Sequence, residues 1–158
     1  MEKRKKGGFT LIELLLVIGI IAILATVVWV ALNPALRFRD ARDARRTGDV
    51  ETILSAIHTA IIDNKGALPT GLSAGMAERQ LGTGSTGCAI ASGGCNVTNA
   101  ACLDLTTPLV KYLKSVPVDP STAYSSANTG YSVVVDTNGI VTVRACGTEG
   151  TTNILTSR

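Results

Sequence analysis

The sequence predicts an α+β protein, in which a long N-terminal helix is followed by a small C-terminal antiparallel β-sheet. Three patterns indicate this fold. Residues 9–32 form an apolar run in which Glu13 is the only charged residue. Apolar residues then recur at helical spacing between residues 50 and 61, and residues 131–145 hold two β-branched segments around a turn sequence.

We therefore expect a spine helix whose apolar half is transmembrane and whose amphipathic half packs on a small head. The chain accordingly divides into four predicted segments: residues 1–8, a basic leader; residues 9–32, the apolar half of the spine helix; residues 33–65, its amphipathic half; and residues 66–158, the head, with loops rich in Gly, Ser and Thr and a terminal β-hairpin.

The positive charge of the chain is concentrated in the leader. Of the 158 residues, 15 are Lys or Arg and 12 are Asp or Glu, which gives a net charge of +3. Residues 2–6 contain four of the basic residues and one of the acidic ones, so 11 of each remain elsewhere. Because the rest of the chain is formally neutral and has no basic and aromatic patch, we predict no nucleic-acid partner.

The apolar run is long enough to cross a membrane. Its 24 residues would span about 36 Å as a helix, against a hydrocarbon core of about 30 Å. The basic leader should stay in the cytoplasm while the head is exported. A cleaved secretory signal has small residues after its apolar core, whereas Gly7 and Gly8 precede it here. A plain membrane anchor leaves Glu13 unexplained, and a buried core helix is disfavoured because the apolar residues occupy every face.

Glu13 is the informative residue of this run. A carboxylate without a partner near the hydrocarbon costs roughly 2.5–3.5 kcal/mol, so it requires a partner or a task. No basic residue lies within two helical turns on its C-terminal side. A new α-amino group would be available if the chain were cut between Gly8 and Phe9. That amine could reach Glu13 of its own chain or of a neighbouring subunit.

The order of these residues resembles a known signal. Gly7-Gly8 is followed by Phe9-Thr10-Leu11-Ile12-Glu13 and the apolar run, which resembles the class III signal of type IV prepilins and type II secretion pseudopilins over about the first 30 residues. The resemblance implies that a prepilin peptidase cleaves after Gly8 and methylates Phe9. It also implies that Glu13 pairs with the N-terminal amine of an adjacent subunit during assembly.

The resemblance further implies the partners and the location. The partners would be other copies of the chain, the prepilin peptidase, an inner-membrane assembly platform and the membrane itself. The precursor would lie in the cytoplasmic membrane with its N-terminus inside, and the mature chain in an extracytoplasmic filament. Pilin helices often carry a proline about four residues before the position of Pro34, which should kink or locally melt the helix here.

The second half of the spine helix begins with a charged stretch and continues with an apolar stripe. We interpret the charged stretch, residues 37–51, as a solvated helix face with ion pairs such as Asp43–Arg46; contact with subunits or lipid headgroups is the alternative. The apolar stripe should face the head, and it comprises Val50, Ile53, Leu54, Ile57 and Ile61. The helix should end near Asn64-Lys65-Gly66, with Gly66 as a left-handed cap.

The four cysteines, Cys88, Cys95, Cys102 and Cys146, all lie in the head. None forms a C-x-x-C pair, so zinc fits poorly. An even number of cysteines beyond a membrane segment indicates disulfides in an oxidising compartment, with four buried thiols as the alternative. Three pairings are possible, and we expect Cys88–Cys95 with Cys102–Cys146.

The C-terminal part resembles the corresponding part of major pseudopilins. Pro117-Val118-Asp119-Pro120 precedes a predicted hairpin whose turn is Thr137-Asn138-Gly139. Some major pseudopilins bind calcium in a nearby loop, and Asp119 and Asp136 are possible ligands. Because calcium requires six to eight oxygens and no dense acidic cluster is present, we expect a structural Asp119 and no cofactor or metal.

The sequence offers little for catalysis. His58 is the only histidine, it lies beside the apolar stripe of the spine helix, and no nucleophile elbow occurs. We therefore predict a non-enzymatic structural subunit of a type IV pilus-like filament. The alternatives are a major pseudopilin of a type II secretion system and a minor tip pilin that acts as a binding module.

Overall fold

The computed structural model describes residues 8–150 and 153–158 of the chain, so residues 1–7 of the predicted leader lie outside it. Its elements in chain order are the helices α1 (Leu11–Leu32) and α2 (Pro34–Asp63) and the strands β1 (Arg79–Gln80), β2 (Tyr131–Val135), β3 (Val141–Ala145) and β4 (Leu155–Ser157). The chain divides into two compact units, Met1–Phe38 and Arg39–Arg158. The predicted α+β class is confirmed.

Helix α1 begins and ends at residues suited to those positions. Thr10 is its N-cap, and Asn33 after its last residue has a φ of 38°, a left-handed conformation that asparagine tolerates well. Pro34 is the first residue of α2, where a missing N–H costs nothing. The sequence predicted a disturbance at Pro34, and the structure interrupts the helix one residue earlier.

Helix α2 buries the predicted stripe. Val50, Ile53, Leu54 and Ile57 are buried, and Ile61 packs partly buried against the same core. Because a helix of mostly polar residues gains its stability from such a face, this burial fixes the position of residues 50–61 in the second unit.

The end of α2 is a Schellman motif one residue away from the predicted cap. Lys65 takes the left-handed conformation with a φ of 58°, and Gly66 follows with a φ of 92°. The Gly66 N–H donates to the Ile61 carbonyl at 2.8 Å, and the Lys65 N–H donates to that of Ile62 at 3.1 Å. These two bonds satisfy carbonyls that the end of the helix would otherwise leave free.

The four strands form one antiparallel sheet in the order β1-β2-β3-β4. The central hairpin, β2 with β3, is in the register that pairs Tyr131 with Ala145 and Val135 with Val141. At its turn the Asp136 carboxylate accepts hydrogen bonds from the N–H groups of Asn138 and Ile140, each at 2.8 Å. The predicted hairpin is present, and the short strands β1 and β4 extend it on both sides.

The core of the second unit lies between α2, the sheet and the loops that precede β2. The helix contributes its stripe, the hairpin contributes alternate valines, and the loops contribute leucines. The largest buried apolar side chains of these loops are Leu81, Leu105 and Leu109. This packing holds one face of α2 against the head and leaves the opposite face free.

Candidate functional site

The N-terminal turn of α1 holds Glu13 in a capping box. The Glu13 Oε2 atom accepts hydrogen bonds from the Thr10 N–H and from Thr10 Oγ1, both at 2.8 Å. In return Thr10 Oγ1 accepts from the Glu13 N–H at 3.3 Å. This reciprocal arrangement satisfies N–H groups that begin the helix without partners. Before any assembly, therefore, the Glu13 carboxylate has partners within its own chain.

The Gly8–Phe9 bond lies just before this turn in non-helical backbone. Gly8 is exposed, and a Cβ atom built on it would meet no described atom within 4 Å. Phe9 is 85% exposed. The bond predicted to be cut is therefore a non-helical, accessible peptide directly beside a helix N-terminus.

Helix α1 presents apolar side chains on every face. None of its 22 residues is buried, and the exposed side chains include Trp29, the single tryptophan of the chain. By length and composition α1 is able to cross a membrane. An apolar helix without a covered face requires lipid or other helices around it.

In the second unit, the charged stretch of α2 forms a buried ion-pair cluster. Arg46 has a fully buried side chain whose Nε and Nη2 atoms donate to the two carboxylate oxygens of Asp119, each at 2.7 Å. Its Nη1 atom donates to Asp43 at 2.7 Å and to Glu149 at 3.3 Å. Arg42 donates to the same Glu149 carboxylate at 2.6 Å. We call these five residues the Arg46 cluster.

This cluster corrects the interpretation of the stretch as a solvated helix face. The predicted Asp43–Arg46 pair exists. Arg46 nevertheless points into the head, because it binds the Asp119 carboxylate of the Pro-Val-Asp-Pro turn and the Glu149 carboxylate of the loop after β3. Asp119 was expected to have a structural role, but its partner Arg46 was not predicted. A carboxylate fixed in such a turn is available to a distant cation.

The cluster also shifts the pKa values of its acidic members. Hydrogen bonds from Arg42, aided by those from Arg46, lower the pKa of Glu149 to about 2. Burial raises the pKa of Asp43, but hydrogen bonds from Arg46 and from the N–H groups of Glu149 and Gly150 together lower it below its usual value. Both carboxylates are therefore held in their ionised form, in which they bind the arginines.

The other residues singled out from the sequence have structural surroundings. Asp119 binds Arg46 and also accepts from the Ser121 N–H at 2.8 Å, whereas Asp136 serves the hairpin turn. Within residues 8–150 and 153–158, no group of three or more His, Cys, Asp or Glu side chains is placed to hold a metal ion. His58 is half-buried on α2, and its Nε2 atom has no partner among the described residues.

All four cysteines form disulfides, but the expected pairing was wrong. The structure joins Cys88 to Cys102 and Cys95 to Cys146. The first bond closes a loop within the irregular part of the head. The second attaches the middle of that loop to the end of β3. The pairing follows from the fold, because the loop doubles back and brings Cys102 beside Cys88.

Removal of either bond should destabilise the head, and removal of Cys95–Cys146 should cost more. It encloses 51 residues against 14 for Cys88–Cys102, and the entropy of loop closure gives about 4 and about 3 kcal/mol for loops of these lengths. The measurement is urea unfolding of the full chain in detergent for the two paired Cys→Ala variants. Non-reducing peptide mapping is the check on connectivity, and a fragment that links Cys88 to Cys95 would contradict the pairing.

Comparison with known proteins identifies the N-terminal segment. Residues 3–29 match the family described as the prokaryotic N-terminal methylation motif. No curated protein and no solved structure matches the chain. The match covers the Gly8–Phe9 bond, the capping box and most of α1. The chain therefore carries a class III signal of the N-terminal methylation type, consistent with a type IV pilin or pseudopilin.

Proposed function

We propose that the chain is a non-enzymatic structural subunit of an extracytoplasmic type IV pilus-like filament. The observation that carries the proposal is the combination of the methylation motif with a helix that buries none of its own apolar residues. Such a helix is anchored in the membrane in the precursor and is covered by copies of itself in the filament. The two alternatives, a major pseudopilin of a type II secretion system and a minor tip pilin, would use the same processing and assembly steps.

In this proposal the first step is processing. A prepilin peptidase hydrolyses the exposed Gly8–Phe9 bond and releases the leader of residues 1–8. It then transfers a methyl group from a sulfonium methyl donor, which leaves as a thioether, to the new amine of Phe9. The exposed, non-helical backbone at this bond supports the step. Cleavage places a positive charge one residue before Thr10, at the helix end where the dipole disfavours it. A carboxylate partner offsets that cost.

The second step is assembly, in which the partner is Glu13 of an adjacent subunit. In the single chain the Glu13 carboxylate is occupied by Thr10. The amine of a neighbour replaces these neutral donors with a charged one, and a charge-assisted hydrogen bond is roughly twice as strong as a neutral one. The apolar residues 9–32 then bundle, and transfer from lipid to neighbouring helices costs little.

The remaining segments form the part that faces outward. Residues 33–65 continue the spine and pack on the head, residues 66–158, through the buried stripe of α2. The Arg46 cluster fixes the head on α2, and the two disulfides cross-link loops and strand within the head itself. The assembly platform of the inner membrane acts on the membrane-anchored form. The chain itself holds no cofactor in this proposal, and the methyl donor is used by the peptidase.

The test is intact-mass and N-terminal analysis of protein recovered from sheared filaments. We expect a chain that begins at Phe9, carries one added methyl group and has all four cysteines oxidised. We also expect this chain to be the main protein of the sheared fraction. Filaments built from chains that still carry Lys3–Lys6 would contradict the proposal. If the processed chain is only a trace component of the sheared fraction, the alternative of a tip subunit is favoured.

A further inference from the structure

A mixed apolar and basic segment follows α1 within the first unit. Leu36, Arg37 and Phe38 are all exposed, with Phe38 at 67%. None of the ion pairs between described residues involves Arg37. We call Leu36–Phe38 the interfacial segment. Leu36 and Phe38 extend the exposed apolar surface of α1, and a contiguous exposed apolar surface marks a membrane or interaction site.

The charge of Arg37 also runs against the usual distribution. Basic residues favour the cytoplasmic side of a spanning helix, where the leader lies in the proposed orientation. Arg37, Arg39 and Asp40 together carry two positive charges and one negative charge, so a net positive charge remains just beyond the apolar run. A positive charge on the exported side is unfavourable unless a negatively charged group binds it there.

The length of α1 places this segment at the level of lipid headgroups. Its 22 residues span about 33 Å at helical rise, slightly more than a hydrocarbon core of about 30 Å. Arg37 lies five residues beyond Leu32, which adds about 7.5 Å at helical rise and corresponds to one headgroup layer. Trp29, 71% exposed, lies near the same end of α1, and tryptophan favours the membrane interface.

We infer that the interfacial segment binds anionic lipid headgroups in the leaflet opposite the leader, with Arg37 on the lipid phosphate. The planar guanidinium donates two parallel hydrogen bonds to a phosphate. Leu36 and Phe38 enter the acyl boundary on either side of it, as amphipathic segments do at interfaces. This inference rests on the membrane anchoring in the proposed function, but it does not depend on filament formation.

The contact would act on the precursor before assembly. A subunit that leaves the bilayer must exchange its lipid phosphate for another partner or for water. Anionic lipid in that leaflet therefore stabilises the membrane-anchored form, and this electrostatic stabilisation weakens as the ionic strength rises.

The experiment uses Trp29 as a local reporter, because it is the only tryptophan in the chain. The full chain is reconstituted in phosphatidylcholine vesicles that contain some phosphatidylglycerol, and either lipid is replaced by its brominated form. Bromine quenches tryptophan at short range, so the two quenching curves give the lipid composition around Trp29. We expect phosphatidylglycerol to be enriched roughly fivefold there at low ionic strength, as expected for one basic residue near an anionic surface.

Variants separate the headgroup contact from insertion itself. Arg37→Gln should abolish the enrichment and keep quenching by both lipids, whereas the control Lys111→Gln, which removes an exposed charge of the head, should leave it unchanged. Equal quenching by the two lipids in the unmodified chain, or enrichment that survives Arg37→Gln, overturns the inference. If neither lipid quenches Trp29, the chain is not inserted, and it is the proposed membrane anchoring that fails.

Discussion

A Glu13→Ala variant is expected to insert in the membrane and to be cleaved after Gly8, yet to be missing from filaments. In the proposed assembly each added subunit buries one new amine at Phe9, and without the carboxylate that amine has no partner. Removal of one member of such a pair costs about 2–5 kcal/mol, so the incorporation of each subunit should fall at least about thirtyfold. The measurement compares variant protein in sheared filaments with that in membranes.

Two further variants identify what Glu13 contributes. Glu13→Gln keeps the shape of the side chain but removes its charge, and it should fail as Glu13→Ala does. Thr10→Ala removes the capping box, at a cost of about 1 kcal/mol to the start of α1, but keeps the carboxylate. It should still assemble. If Glu13→Ala polymerises normally, the pairing with a neighbouring amine is wrong.

An Arg46→Met variant is expected to lose about 3–5 kcal/mol of unfolding free energy. The substitution leaves the buried Asp119 carboxylate without the guanidinium that binds both of its oxygens, and an uncompensated buried charge is the reason for so large an effect. The measurement is urea unfolding of the full chain in detergent, followed by circular dichroism. The methionine side chain is long enough to fill most of the space that the aliphatic part of Arg46 occupies.

Arg45→Met is the matched control, because Arg45 is exposed and lies 3.7 Å from Asp49 at its closest. It should lose less than about 1 kcal/mol.

The double variant Arg46→Met with Asp119→Leu should regain part of the loss, since both charges are then gone. The loss for Arg46→Met should also shrink in acid. Arg42 and, to a smaller extent, Arg46 lower the pKa of Glu149, and the share of this stabilisation that Arg46 supplies is present above pH 4.5 and is lost as the pH falls towards 2. Equal losses for Arg45→Met and Arg46→Met would contradict the role of the cluster.

The parts of the fold that could be predicted are those with a repeated pattern. The apolar run gives α1, the stripe from Val50 to Ile61 gives the packed half of α2, and Thr137-Asn138-Gly139 gives the hairpin. Strands β1 and β4 have two and three residues, too few for an alternation to be recognised. The sequence predicted the interruption of the helix at Pro34, one residue after its position at Asn33 in the structure. The difference arises because proline suits the first position of a helix.

The site could be predicted in part. The spacing of Thr10 and Glu13 is that of a capping box, a signal that was present but not used. In contrast, neither the cysteine pairing nor the burial of Arg46 could be read from local sequence. Both depend on loops far apart in the chain: Cys95 is joined to Cys146 across 51 residues, and Arg46 meets Asp119 across 73. Only the folded head brings these partners together.

The Cys95–Cys146 bond limits how far the chain lengthens under load. When a pull acts between α2 and the C-terminal end, the force passes from Cys95 directly to Cys146 and bypasses the 51 residues between them. At about 3.4 Å per extended residue, roughly 170 Å of contour length is withheld. If the noncovalent structure of the head unfolds under force, the disulfide therefore limits the extension of the chain to the residues outside this loop.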